Sequence, residues 1–494
     1  MAATTQQAAT AECKNFIGGQ WSASASGKTL ARENPADWRE IVGAYQDSTI
    51  EDVVAACDAA AGAFPAWAAL AGPARGAFLH KAADILEARV EDVARTMTRE
   101  MGKTIGEARG ETRRGVTILR YFAQEGLREM GLTIPSADAR TLMYTTRVPL
   151  GPVALITPWN FPVAIPMWKL APALAYGNTV VLKPAGLATV TATRLVECLV
   201  DAGLPAGVLN LLGGSGGRIG SALAKNPHVH GISFTGSNAV GRQLAGEALE
   251  RNTKYQLEMG GKNPVIVCDD ADLAQAVELT VSGAMRSTGQ KCTATSRAIV
   301  MEAVRQEFTE RVVARCRELK VGSGLDESVY MGPAVSRDQL ETDLRYIQAG
   351  KDEGARLLCG GGQPTGDAYA HGYFVQPTVF DQVKATMTIA QEEIFGPVLG
   401  IMAAGSLEEA LALANDVKFG LSASLFTRDI NRVLQFASFM DAGMLRVNGE
   451  TAGVEPQAPF GGMKASSSHS REQGRAALEF FTSVKTVTFS PAGA

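Results

Sequence analysis

Apolar residues recur at helical spacing from Thr49 to about Glu125, and after Pro149 the chain changes rhythm. In the first stretch, Ser48-Thr49-Ile50-Glu51 offers a capping signal ahead of the Ala-rich run 53–63, and 75–100 carries an apolar stripe flanked by alternating charges. These helices read as scaffold. Ahead of them, Phe16-Ile17-Gly18-Gly19-Gln20-Trp21 predicts a strand and turn running into the Ser/Gly stretch 22–27, while residues 1–15 read as frayed. Between 153 and 268, strand-like segments (Val153–Thr157, Thr179–Lys183, Val208–Leu212, Gly231–Thr235, Val265–Cys268) alternate with helical ones at 163–175, 189–202, 216–225 and 239–249. That is the rhythm of a parallel sheet, which collects ligands at the carboxyl ends of its strands. A second α/β alternation fills 270–442, with helices around 271–286, 303–319, 336–351, 407–416 and 429–439. Two further segments, Thr141–Val148 and Thr482–Phe489, are β-rich and half apolar; as open edges they would be liabilities.

Length and composition narrow this picture. A chain of 494 residues exceeds one hydrophobic core, so two or three domains are expected. Hydrophobic residues at 46% and charged residues at 20% are globular values, and a net charge of −4 gives no reason to expect a nucleic-acid partner. Seven scattered cysteines form no CxxC pair and keep no ligand-like spacing to the five histidines, which argues against a disulfide framework or a metal site. Neither a secretory signal nor an apolar run near the ~20 residues that span a bilayer stands out, so the expected location is the cytoplasm, without membrane association.

Candidate chemistry starts at Gln290-Lys291-Cys292-Thr293, preceded by the small residues Ser287-Thr288-Gly289. A cysteine is commonly a buried, inert apolar residue; its thiolate is a strong nucleophile once something lowers its pKa or takes its proton. Glu258, in Leu257-Glu258-Met259-Gly260-Gly261, is either a solvated acid or a general base, and its apolar neighbours suit the first role poorly. Phe234-Thr235-Gly236-Ser237-Asn238 sets a Gly-Ser turn between strand and helix, which is a tight connection or a source of backbone N–H groups for a pyrophosphate. Gln391-Glu392-Glu393-Ile394-Phe395-Gly396-Pro397 reads as a helix end at a turn. Arg286, six positions before Cys292, is a bidentate fork for a carboxylate or a helix-end cation facing water.

Taken with Pro158-Trp159-Asn160-Phe161-Pro162 and Pro459-Phe460-Gly461-Gly462, these motifs resemble the large NAD(P)-dependent, non-acylating aldehyde dehydrogenase superfamily, in register over nearly the whole chain. The resemblance implies an α/β fold of two Rossmann-type domains plus a small β oligomerisation domain. Residues 1–127 and 150–258 would bind the cofactor, 259–458 would form the catalytic domain, and 128–149 with 475–494 would supply strands joining a homodimer or homotetramer. It makes Cys292 the nucleophile that adds to the aldehyde carbon, because a planar carbonyl carbon is a poor hydride donor and a tetrahedral thiohemiacetal is a good one. Asn160 and the Cys292 N–H would hold the oxyanion, Glu258 would activate the water that hydrolyses the thioester, and Lys169 would lie near the proton path. Ile156, Thr157, Pro158, Trp159, Lys183, Pro184, Ala185, Gly186, Gly216, Gly236, Ser237, Gly260, Glu393 and Phe395 would contact NAD or NADP. Gly186 stands where NAD-preferring members tend to carry a Glu that would repel a 2′-phosphate, so NADP is preferred, with Ser215 and Arg218 as further donors.

For substrate, the resemblance implies that Arg286 holds the far carboxylate of a semialdehyde. Trp168 replaces the second Arg of succinic semialdehyde enzymes, and Gln457 is a candidate for the keto-acid end, with Glu455 expected to point away. The segments 158–181 and 459–474 look most like dehydrogenases of α-ketoglutaric semialdehyde (2,5-dioxopentanoate). A broad-specificity or aromatic aldehyde dehydrogenase, with Arg286 only structural, is the rival enzyme; a catalytically silent binding scaffold is the rival of another kind.

Overall fold

The computed structural model describes residues 11–492. Two seven-stranded sheets dominate it. In the first, strands Lys254–Glu258, Gly231–Thr235, Pro152–Thr157, Thr179–Pro184 and Leu209–Leu211 run parallel in that spatial order, and the hairpin Asn15–Ile17/Gln20–Ser22 is added antiparallel at one edge. Every residue of Pro152–Thr157 and Thr179–Pro184 is buried, as strands covered on both faces by helices must be. The second sheet runs in the order Arg356–Cys359, Thr378–Asp381, Val398–Ala404, Thr295–Met301, Asn263–Val267, Ser422–Phe426, Met444–Val447, all parallel except the first. The chain therefore passes from one sheet to the other through residues 259–262.

The helical stretch at the start resolves into Ile50–Ala69, Gly72–Ala88, Val90–Met101 and Ile105–Ala123. Thr49 caps the first in a capping box with Asp52. Leu79, Leu86, Met97, Leu119 and Phe122 from these helices form one core with the helix Ala164–Ala175, which fixes Ile105–Ala123 beside the site described below. No single helix of the described residues is long and apolar enough to cross a membrane.

Several expectations change. The stretch 28–48 holds the strands Thr29–Asn34 and Asp37–Gln46, which with Ala11–Cys13 make a separate three-stranded sheet, so residues 11–15 are not frayed; residues 1–10 lie outside the described residues. The strand near Val265 belongs to the second sheet, and the last strand of the first is Lys254–Glu258, hidden from the periodicity because it merges into the glycine motif. Leu142–Pro149 and Thr482–Phe489 pair antiparallel along their whole length and, with Thr133–Ile134, form a small sheet that leaves Leu142, Val484 and Phe489 exposed.

Candidate active site

Glu258 ends its strand beside Thr235, at the carboxyl edge of the first sheet, and Cys292 lies in the turn that leads into Thr295–Met301 of the second. The backbone before Cys292 is held under strain. Ser287, Thr288 and Gly289 all have left-handed φ (53°, 58° and 66°), which costs of order 1–3 kcal/mol at each non-glycine residue. Packing enforces it: the Ser287 hydroxyl donates to Glu107 at 2.9 Å and the Thr288 hydroxyl to the Gly332 carbonyl at 2.9 Å. A side chain at 289 would collide with the Gly396 carbonyl. Beyond the turn, the Asn263 amide donates to the Cys292 and Ala294 carbonyls at 2.8 and 2.9 Å. The run is small because it is tightly wound.

Cys292 is half-buried and lines two cavities at once, each of about 280 Å³. One contains Pro158, Trp159, Asn160, Gly236, Ser237, Gly260, Glu393 and Phe395; the other contains Phe161, Trp168, Arg286, Lys291, Val454 and Phe460. A thiol at such a junction can meet one ligand from each side. Burial pushes the thiol up to about 12, with Glu393 and then Glu258 adding to the effect, so the group rests protonated and needs a proton acceptor when it reacts. The Asn160 amide donates to the Gln290 carbonyl at 3.0 Å, which fixes its orientation beside the turn, and the Cys292 N–H has no backbone partner among the described residues.

A model of the aldehyde dehydrogenase family matches residues 21–487. The chain belongs to the aldehyde dehydrogenase family. It is 57% identical over 477 residues to an alpha-ketoglutaric semialdehyde dehydrogenase of Bacillus subtilis, covering 97% of this chain and 98% of that protein. A 2,5-dioxopentanoate dehydrogenase of Saccharolobus solfataricus is 42% identical over 465 residues (94% and 96% of the two chains). Among solved structures, the betaine aldehyde dehydrogenase of Staphylococcus aureus in complex with NAD+ superposes with a TM-score of 0.95 at 33% identity, covering 98% of this chain and 95% of that one.

In this dehydrogenase the cavity that contains Trp159, Glu393 and Phe395 has features that suit a dinucleotide. The Thr235 hydroxyl in its wall is buried without a partner among the described residues. Glycine is required at 260 because any side chain there would strike the Glu393 carboxylate, and at 261 because it would approach the Cys292 carbonyl to 2.7 Å. The two glycines thus let Glu393 and the cysteine turn close in. Glu393 accepts from the Gly261 N–H at 2.9 Å, and burial pushes its carboxyl up to about 7. The Trp159 and Phe395 rings meet edge to face at 5.3 Å. Gln339 and Thr342, which carried no sequence signal, complete the wall. Ile156, Thr157, Lys183, Pro184, Ala185 and Gly186, at and beyond the ends of the strands Pro152–Thr157 and Thr179–Pro184, and Gly216, which starts the helix Gly216–Lys225, lie outside this cavity. Lys183 is buried and pushed down to about 8 by that burial, and its ammonium donates to the Pro184 carbonyl at 2.8 Å. Arg218, a candidate cofactor donor, is instead held by Asp47 and the Ser48 carbonyl.

Glu258 departs from expectation. It is buried, it lines neither cavity, and its Oε2 accepts from the Ser467 hydroxyl while Oε1 has no partner among the described residues. Burial, then the nearby Glu472, raises it well above the usual carboxylate range; Ser467, Lys169 and Arg471 act the other way. Lys169 is buried, ion-paired with Glu472, and bonded to the Ser233 hydroxyl at 2.7 Å. Trp168, in the wall of the second cavity, donates its indole N–H to the same Glu472 at 2.6 Å. Glu472 therefore ties that wall to the group of charges around Glu258, a place its sequence setting did not reveal. Gln457 is overturned as a substrate contact, since it sits exposed on the turn from Glu455 to Ala458, bonds Glu455, and reaches neither cavity. Glu455 likewise points away from the cavities.

Proposed function

We propose that this aldehyde dehydrogenase oxidises a small ω-oxo acid, 2,5-dioxopentanoate in the first place, to the dicarboxylic acid, with NADP preferred over NAD. The observation that carries the reading is the single thiol shared by two cavities, one of which also contains the Arg286 guanidinium. Arg286 caps the helix Leu273–Met285 and stacks over the Tyr330 ring at 4.9 Å, so its fork is held without being spent on an acid. The names of the relatives point to the same substrate.

Cys292 passes its thiol proton to Glu258, which releases it to solvent before the second half of the reaction, and the sulfur adds to the aldehyde carbon while the Asn160 amide with the Cys292 N–H receives the oxyanion. The nicotinamide cofactor, when bound, supplies the hydride acceptor. Glu258 swings from Ser467 toward the thioester and takes a proton from the attacking water; a raised pKa suits a base working near neutral pH. For the cofactor, Gly186 brings no carboxylate to repel a 2′-phosphate, and the Tyr45 hydroxyl lies in the space a side chain there would take. A homodimer or homotetramer in the cytoplasm completes the proposal, the exposed apolar positions of the strand Thr482–Phe489 favouring a second copy.

The test is a steady-state panel of 2,5-dioxopentanoate, 5-oxopentanoate, pentanal and benzaldehyde, each with both cofactors. The semialdehydes with NADP should give the highest kcat/KM. Equal or better turnover of pentanal or benzaldehyde would overturn the substrate assignment, and a preference for NAD the cofactor assignment.

A further inference from the structure

The helix Ile105–Ala123 turns Glu107, Gly110, Glu111 and Arg114 toward the substrate-side cavity, at the three- and four-residue spacing of a single helical face. The cavity wall carries four cations, Lys103, Arg114, Arg286 and Lys291, against three carboxylates, Glu107, Glu111 and Glu450. Most of these charges are already matched. Glu111 is satisfied by Lys103 and by the Val163 and Ala164 N–H groups at 2.9 and 3.0 Å, and Lys103 also donates to the Asn160 carbonyl at 2.8 Å. Glu107 accepts from the Thr104 and Ser287 hydroxyls at 2.7 and 2.9 Å. Lys291 is buried, bonded to the Ser282 carbonyl at 3.4 Å, and offset by the charges of Glu450 and Glu107. Arg114 and Arg286 remain, and among the described residues neither guanidinium makes a hydrogen bond to, or an ion pair with, a protein group. Besides Glu111, the acid whose charge acts on Arg114 is Glu455, which bonds Gln457, and the charge of Arg446 acts the other way.

Arg286 is exposed, but Arg114 is half-buried, and a half-buried guanidinium without an acceptor carries a desolvation cost that an anionic ligand removes. We propose that Arg114 is a second carboxylate-binding residue of the substrate site, acting with Arg286 to hold the acid end of the ω-oxo acid while its aldehyde carbon meets Cys292. This assignment rests on the semialdehyde reading above and makes it more specific. Two guanidiniums on opposite elements, one from the helix Ile105–Ala123 and one from the end of Leu273–Met285, can share one carboxylate or divide a 2-oxo carboxylate between them. The position replaces what Gln457 was expected to supply.

The experiment measures kcat and KM of wild type, Arg114→Leu, Arg114→Lys and Arg286→Leu with 5-oxopentanoate and with pentanal, and the inhibition constant of glutarate against pentanal. Losing a charged hydrogen bond of about 1.5–3 kcal/mol corresponds to a change of roughly tenfold or more. For Arg114→Leu the ratio of kcat/KM for 5-oxopentanoate over pentanal should fall at least about tenfold, mostly through KM, and the glutarate inhibition constant should rise to match. Arg114→Lys should recover part of both. A ratio and a glutarate constant within about twofold of wild type in Arg114→Leu would overturn the proposal. So would equal losses on both substrates. If wild type itself prefers pentanal, the semialdehyde reading fails first; if wild type prefers 5-oxopentanoate and only Arg286→Leu loses that preference, the assignment of Arg114 alone falls.

Discussion

The two cavities that meet at Cys292 are built in opposite ways. The cofactor side is made of close backbone approach: the Gly236-Ser237 turn after a strand, glycines at 260 and 261 that admit Glu393 and the cysteine turn, and one half-buried acid bonded to an N–H. The substrate side is made of long side chains from distant parts of the chain, four cations against three carboxylates, of which the Arg114 and Arg286 guanidiniums bond no protein group among the described residues. A surface of backbone and glycine tolerates little change, because any added Cβ strikes a neighbour; a surface of paired side chains can be re-paired for another substrate. The contrast assigns general chemistry to one side and selectivity to the other.

The largest expected effect lies where the sides join. Cys292→Ala should lower kcat by about 10⁴-fold or more, with cofactor affinity, read by fluorescence quenching, unchanged; surviving turnover would remove the nucleophile from the junction. Asn160→Ala should cost about 10²–10³-fold in kcat, on the order of 3–4 kcal/mol. If it raised KM alone, Asn160 would belong to ground-state binding rather than to the oxyanion. The smallest effect concerns Glu393. Its raised pKa means that the carboxylate form prevails only above about 7, and a protonated acid is a poorer acceptor for ribose hydroxyls. Cofactor binding should therefore weaken about fivefold from pH 8 to pH 6 in wild type and stay flat in Glu393→Gln. An unchanged slope in the variant would place the titration elsewhere.

The same contrast explains what could be read from the chain alone. The α/β alternation, the helix bounds near 164–175 and 189–201, and the two separate strands 142–149 and 482–489 were legible from local periodicity, whereas the pairing of those strands with each other was not. Lys254–Glu258 was not, since its five residues merge into a glycine motif, and neither were the strands between 29 and 46. Cys292, Asn160, Glu393 and Phe395 could be placed because short motifs carry them. Arg114 and Glu472 could not: a helical arginine and a tail glutamate look like surface charges until tertiary packing turns one into a cavity and buries the other against Lys169. Gln457 failed in the opposite direction, since nearness in sequence to Pro459-Phe460 did not bring it inside.

The central claim is a covalent thioester on Cys292 that Glu258 helps to hydrolyse, although Glu258 rests against Ser467. Rapid mixing of Glu258→Gln with saturating 5-oxopentanoate and NADP, followed by acid quench and mass measurement of the peptide that contains Cys292, tests it most directly. One equivalent of reduced cofactor per site, an acylated Cys292 and almost no turnover afterwards are expected. A steady rate equal to wild type with no adduct on Cys292 would contradict it.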